Sequence, residues 1–487
     1  MAALGRQAVR GALWTIAAGV ATRAIGLVGT VLVTRFVAPD DYGEVTVAAV
    51  VVMTANQCST IGFGQYLVAR PDAPRSVAFH ATLFHLTIGV LAVVAVLAFG
   101  GRLGALLDAP HLARFLPGLL ASGFVDRVAY VPERVLVRDL RFRAVSGGRA
   151  LGDLAYCVGS VSLAALGWGG MAIVAGNVAR SVARTATFVL AVKVRDWLEV
   201  SRPSADVTRR LFAFGVPMSL GSLCAFASRR WDNLLVSRFF GPATTGMYNL
   251  AYNLADVPAI QVGEQIGDVL LPSFARLDPV QRRGALVRSM SLLALVVFPL
   301  AIGLGAVGPT LVATVFDARW QPIGPMLVWL SALSVARPVG WTVESYLQAC
   351  ERPRLILGLE AFKVAALVAL VATVGRLGPL WTCAAVGVAF GAHALLCLWA
   401  VQRLDGLPLG RSLASLGPAL AASAPMVLAV LGARHLLASG GGVAPAASLA
   451  VEVLAGAVGY VLGALVIAPG SSRQLAARVA DALGSHD

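Results

Sequence analysis

The sequence predicts an all-α integral membrane protein with about 14 transmembrane helices, arranged as two parallel six-helix lobes around a central cavity plus two C-terminal helices. Three observations predict it. Only 13% of the 487 residues are charged while 58% are hydrophobic, about half the charged share of a soluble chain. Apolar runs of about 20 residues, long enough to cross a bilayer core as a helix, recur from end to end. The stretch LVTRFVAPDDYG at 32–43 returns as LVSRFFGPATTG at 235–246.

Fourteen candidate spans follow in order: 10–37, 43–66, 77–99, 112–132, 147–166, 169–192, 210–234, 246–268, 287–308, 323–348, 355–375, 379–401, 415–436 and 445–468. Short loops punctuated by Gly or Pro separate them. The N-terminus has Arg6 and Arg10 before an apolar run and VATRA at 20–24, as a signal peptide would. That run continues to about Val37 and has a counterpart in mid-chain, so it reads as the first span. With an N-terminus on the cytoplasmic side, 24 Arg and Lys fall on that side, 7 on the other and 8 inside spans. This positive-inside asymmetry supports the count and puts both termini in the cytoplasm.

At the constant offset of 203, Leu32, Val33, Arg35, Phe36, Pro39, Gly43 and Ala48 match Leu235, Val236, Arg238, Phe239, Pro242, Gly246 and Ala251. Six spans separate the copies, an even number, so both copies cross in the same direction and the lobes are parallel repeats. PERVLVRDLRFR (132–143) and YLQACERPR (346–354) add a fainter echo at an offset of 211. The organisation expected is a first lobe over 1–195, a cytoplasmic linker over 196–209, a second lobe over 210–402, and two extra spans with a tail over 403–487. Pro39 and Gly43 then serve a tight external turn common to both lobes. RVLVRDLRFR itself reads as a cytoplasmic interfacial segment.

The net charge of +14 is spread through loops, which argues for topology and against nucleic acid. The six cysteines form no CxxC, so neither a disulfide framework nor a metal site is expected. No phosphate-binding G-x-x-x-x-G-K-[ST] motif occurs, and no cofactor is expected.

Charges inside the spans are the candidates for function, because each costs at least about 2.5–3.5 kcal/mol to place at the bilayer centre. They are Arg23, Asp126, Arg127, Asp153, Arg180, Arg184, Arg229, Arg230, Asp232, Asp256, Arg337, Glu344, Glu360 and Lys363. Arg23 and the Arg229/Arg230 pair lie at similar depth on the first helix of each lobe. Arginine suits a pyrophosphate because its planar fork contacts two oxygens at once. Arg180 and Arg184 share a face and repel unless an anion or an acid sits between them. Asp256, with Asn249 and Asn253, forms a polar stripe for sugar hydroxyls, a coupling proton or a plain hydrogen-bond network. The candidate substrate-binding set is therefore Arg23, Arg180, Arg184, Arg229, Arg230, Asn253 and Asp256.

ALWTIAAGVATRAIGLVGTVLVTRFVAPDDYG, GFGQYLVAR (62–70), VLVRDLRFR (135–143) and VGEQIGDVLLPSFARL (262–277) resemble successive elements of bacterial polysaccharide flippases. These belong to the MOP exporter superfamily, and the nearest branch is the lipopolysaccharide and teichuronic-acid exporters. The resemblance implies a multi-pass carrier in the bacterial inner membrane that moves an undecaprenyl-pyrophosphate-linked oligosaccharide to the outer leaflet by alternating access. Its partners would be that lipid-linked oligosaccharide and membrane lipids, and whether H+ or Na+ couples transport is left open. Two rivals are weighed. A multidrug or cation antiporter of the same superfamily favours acidic and aromatic residues, whereas these spans lean to Arg. A membrane glycosyltransferase or polymerase could use Asp40 and Asp41, but the second copy has Thr244 and Thr245 there.

Overall fold

The computed structural model describes residues 25–470 except 27, 71, 73, 203, 332 and 440–443, and only the backbone of 258–269 and 333. A helix overlies the described part of every expected span, and no β-strand occurs among the described residues. The order is α1 (28–36), α2 (Pro39–Ser59), α3 (Phe63–Ala69), α4 (Arg75–Leu106), α5 (Leu112–Arg138), α6 (Phe142–Ala165) and α7 (Gly170–Ala191). Then come α8 (Ala205–Ala275), α9 (Pro279–Val315), α10 (Ile323–Ser331), α11 (Leu333–Ala349), α12 (Pro353–Thr373), α13 (Pro379–Asp405), α14 (Leu409–Ser439) and α15 (Pro445–Ile467). Among the described residues, eight helical stretches are long and apolar enough to cross a membrane, and α2 with α3, bent by 53°, makes a ninth. One of those stretches, Ala205–Val257, belongs to α8, which holds two expected spans and breaks between them at Gly241 (φ 75°, ψ −179°). This is a multi-pass membrane protein.

Local chemistry sets the helix starts. Proline opens α2, α9, α12, α13 and α15, where its missing N–H costs nothing. Asp40 and Asp41, the residues an enzyme reading would use, are exposed acids in the first turn of α2, where they favour the helix dipole. Outward faces stay apolar. Leu91, Val94, Leu97 and Phe99 on α4, and Leu454, Val458, Leu462 and Val466 on α15, are all exposed, as a lipid-facing surface requires.

The duplication is written in backbone geometry. Leu140 and Glu351, 211 residues apart, are both non-glycine residues in the left-handed region, at φ 56° and 57°. Around them the same bonds recur. Arg141 N–H donates to Leu136 O at 2.9 Å and Arg352 N–H to Leu347 O at 3.0 Å; Asp139 N–H reaches Val135 O and Cys350 N–H reaches Tyr346 O. This is one helix-ending turn made twice. RVLVRDLRFR is thus the end of α5, this turn and the start of α6.

The chain divides into two compact units, Met1–Gly246 and Met247–Asp487. The division falls one span after the end of the first sequence repeat, because the first arm of α8 packs onto the break between α2 and α3. Ser219 Oγ donates to Thr60 O at 3.0 Å and receives Gly62 N–H at 3.0 Å, and Trp231 Nε1 donates to Thr54 Oγ1 at 3.3 Å.

Within the first unit the two copies of the opening motif touch each other. Gly43 and Gly246 have no left-handed φ and lie within helices, so they are not turn glycines as the sequence suggested. A Cβ on Gly246 would fall 2.5 Å from Pro39 O, and one on Gly43 would overlap Pro242 O. Each glycine admits the proline carbonyl of the other copy, a reciprocal contact that only a missing side chain permits.

In the second unit α15 docks on α14 by the same device. A Cβ on Gly459 or Gly463 would come within 2.9 Å of Pro425 O or 2.7 Å of Ala422 O. Glu452, 1% exposed, joins three helices: it pairs with Arg434 of α14 at 2.8 Å and accepts from Thr310 Oγ1 of α9 at 2.7 Å.

Candidate functional site

The charges singled out in the sequence assemble into separate groups, one set in each unit. In the first unit α5, α6 and α7 carry two parallel ion pairs. Arg184 Nη2 lies 2.6 Å from Asp126 Oδ1, and Arg180 Nε lies 3.0 Å from Asp153 Oδ1. The Arg180 guanidinium also stacks over Tyr156 at 4.1 Å. The two like charges that share a face of α7 are therefore neutralised by one acid from α5 and one from α6. All four side chains are about 27–32% exposed, so solvent or a ligand reaches them.

Arg127, beside Asp126 on α5, is buried and points the other way. Its guanidinium donates to His85 O of α4 at 3.2 Å, Asn56 O of α2 at 3.3 Å and the Ser59 hydroxyl of α2. No carboxylate among the described residues pairs with it.

Arg229 and Arg230 are half-buried on the first arm of α8. Asp232 is fully buried two residues on, and its Oδ1 accepts from Asn233 N–H at 2.9 Å and Nδ2 at 3.0 Å. Arg229 forms no hydrogen bond or ion pair with a described residue. Arg23 lies outside the described residues.

In the second unit Asp256 and Arg337 form a buried pair at 2.6 Å, each about 5–6% exposed. Arg337 also reaches Tyr252 Oη at 3.4 Å and sits over Trp341 and Phe390 at 5.9 and 5.2 Å. Asn249 is buried and Asn253 half-buried on the same helix. Sequence reasoning marked Arg337 as an intramembrane charge but not as the partner of Asp256. No local spacing encodes a contact between α8 and α11. It likewise singled out neither Arg434 nor Glu452.

Comparisons with known proteins agree with this architecture. The chain is similar to the lipopolysaccharide biosynthesis protein WzxC of Escherichia coli (strain K12), 25% identical over 80% of this chain and 78% of that one. It is also 25% identical to the succinoglycan biosynthesis transport protein ExoT of Rhizobium meliloti (strain 1021), over 93% of this chain and 91% of that one. The teichuronic acid biosynthesis protein TuaB of Bacillus subtilis (strain 168) is 25% identical over 69% of this chain and 70% of its own. Among solved structures, the lipid II flippase MurJ in an inward closed conformation superposes with TM-score 0.74 at 12% identity, covering 93% of this chain and 98% of that one. An inward-facing multidrug resistance MATE family transporter of the MOP superfamily follows at TM-score 0.64 and 15% identity, covering 79% and 94%. At such identities the likeness is one of fold. The family described as polysaccharide biosynthesis protein matches residues 32–325, three-fifths of the length, and the chain belongs to that family.

Proposed function

We propose that this protein is a flippase that moves an undecaprenyl-pyrophosphate-linked oligosaccharide from the inner to the outer leaflet of the bacterial inner membrane, by alternating access of two lobes, with both termini cytoplasmic. Family membership and the relatives' part in lipopolysaccharide, succinoglycan and teichuronic acid biosynthesis support the reading. The observation that carries the chemistry is Arg229, a half-buried guanidinium on a membrane helix that no described residue neutralises. An anionic headgroup supplies what is missing, through bidentate, charge-assisted bonds to phosphate oxygens. Arg230 and Arg23 belong to the same proposed headgroup site. Arg180 and Arg184 exchange their acids for the ligand in part, and Asn253 and Asp256 serve the sugar end. The cation-antiporter rival loses its best acid, because the Asp256 carboxylate is neutralised by Arg337 at 2.6 Å.

Depletion in cells tests the reading: lipid-linked oligosaccharide is expected to accumulate on the cytoplasmic leaflet. Complementation by Arg229→Ala, expressed and folded as the wild type, is expected to fail. Outer-leaflet delivery at an unchanged rate after depletion overturns the flippase reading. Full complementation by the variant overturns the role of Arg229.

A further inference from the structure

A second charged cluster lies in the second unit, one helix away from the Asp256–Arg337 pair. Glu360 and Lys363 face each other one turn apart on α12, with Nζ 2.7 Å from the carboxylate. His393 of α13 comes in from the side, its Nε2 3.7 Å from Glu360 Oε1. The three side chains are only 13%, 12% and 8% exposed. Cys397 Sγ, one turn along α13, is 3.5 Å from the same ring nitrogen. Beside them is a cavity of about 10 Å³, lined by Glu344, Glu360, His393 and Cys397, on the scale that admits one water. A packing role for this stretch would be served by apolar residues. Glu344, Glu360 and His393 around a water-sized void in a membrane span, with Lys363 bonded to Glu360, are instead the signature of a proton site.

We propose that the Glu360–Lys363–His393 cluster binds the proton that couples transport, with His393 as the group that takes it. This rests on the transporter reading above and deepens it.

In the neutral tautomer protonated on Nδ1, the Cys397 thiol donates to the Nε2 lone pair. A proton added at Nε2 turns that acceptor into a donor. The nearest acceptor is then Glu360 Oε1, which Lys363 already holds. Two cations now compete for one carboxylate, so the α12–α13 contact shifts. Lys363 Nζ and the Arg337 guanidinium sit 5.7 and 5.2 Å from the same Phe390 ring. A displaced Lys363 thus acts on Arg337, whose partner Asp256 is on α8. The route runs from a proton on α13 to the helix that carries the polar stripe.

The charged neighbours on the packed elements are accounted for. From α11 come Glu344, which lines the void, Arg337, which is held by Asp256, and Tyr346, whose hydroxyl donates to Asp405 at 2.7 Å, while the turn Gly375–Leu377 after α12 carries Arg376. α10 has no titratable side chain, and α14 has only Arg411, Arg434 and His435, near its ends. A metal cation would have to displace a bonded ammonium from Glu360, whereas a proton adds to an imidazole whose lone pair is occupied only by a weak thiol donor. The proton is therefore the ion these side chains favour.

Two measurements on the full-length protein decide. Hydrogen exchange of peptides covering 353–405, corrected for intrinsic rates, is expected to differ between pH 4 and 7.5 in the wild type, and this difference is expected to vanish in His393→Asn. No pH response in the wild type, or the same response in the variant, overturns the proposal whether or not the substrate has been identified. In proteoliposomes carrying a pyrophosphate-linked polyprenyl oligosaccharide, an imposed pH gradient is expected to accelerate wild-type transport, and His393→Asn is expected to lose the acceleration. A Glu360→Gln/Lys363→Met double variant, which removes both charges together, is expected to lose it too. Acceleration retained in His393→Asn, or produced by a sodium gradient alone, overturns proton coupling at this site. Absence of any wild-type transport counts against the flippase reading and leaves the exchange result to decide on the site.

Discussion

Arg127 in the first unit and Arg337 in the second occupy nearly the same place in the repeat. Each lies one helix-length before the duplicated turn, 13 residues before Leu140 and 14 before Glu351. Each is 5–6% exposed, and each reaches from the fourth helix of its repeat toward the second. They differ in what meets them. Arg127 ends on two carbonyls and a hydroxyl, while Arg337 ends on a carboxylate and two aromatic rings. The comparison teaches that duplication kept the position of a buried guanidinium while the two copies solved its solvation separately. One copy spreads the charge over neutral dipoles. The other concentrates it in an ion pair that connects, through Phe390, to further titratable groups.

That contrast predicts unequal costs. Asp256→Ala leaves a buried guanidinium uncompensated and is expected to lower stability by about 3–5 kcal/mol in thermal or denaturant unfolding in detergent. Joint replacement, D256L with R337M, should recover most of it, since two matched apolar groups remove the charge with its partner. A double variant as unstable as the single one would show that the pair does more than cancel charge.

Where the copies meet, Gly43→Ala and Gly246→Ala are each expected to cost about 1–3 kcal/mol, because each Cβ meets a proline carbonyl. Gly43→Ala should cost the more of the two, because its Cβ overlaps Pro242 O while that of Gly246 stops 2.5 Å from Pro39 O, and a larger loss at Gly246 would break that ordering. Arg127→Met removes the charge but leaves buried acceptors without a donor, for an expected loss of about 1–3 kcal/mol. A loss exceeding that of Asp256→Ala would erase the contrast between the units. Smallest is Asp126→Asn, about 1 kcal/mol or less, because the pair with Arg184 is partly exposed.

Much of the fold was legible in the sequence. The pattern of apolar runs foretold helices along the described chain, although only eight or nine of the described stretches are long and apolar enough to declare a membrane span by length and composition alone. The shared Arg, Phe, Pro and Gly revealed the repeat, and the faint match of Arg141 and Arg143 with Arg352 and Arg354 marked a turn that proved the same bond for bond. What could not be read was partnership across helices. Asp256 with Arg337, Arg434 with Glu452, and His393 with Glu360 depend on rotation and depth of helices far apart in sequence. Gly43 was legible as shared but not for the right reason, because a glycine that admits a foreign carbonyl looks in sequence like one that makes a turn. The packing of the first arm of α8 with the first unit was hidden similarly, since sequence similarity assigned that arm to the second repeat.

Translocation in reconstituted vesicles tests the flippase reading most directly. Purified protein is placed in liposomes whose inner leaflet carries an undecaprenyl-pyrophosphate-linked oligosaccharide, and the sugar reaching the outer surface is followed with an impermeant glycosidase or lectin. Outward movement well above that of protein-free vesicles, and lost with Arg229→Ala, is the predicted result. Outward movement no faster than in protein-free vesicles would contradict it.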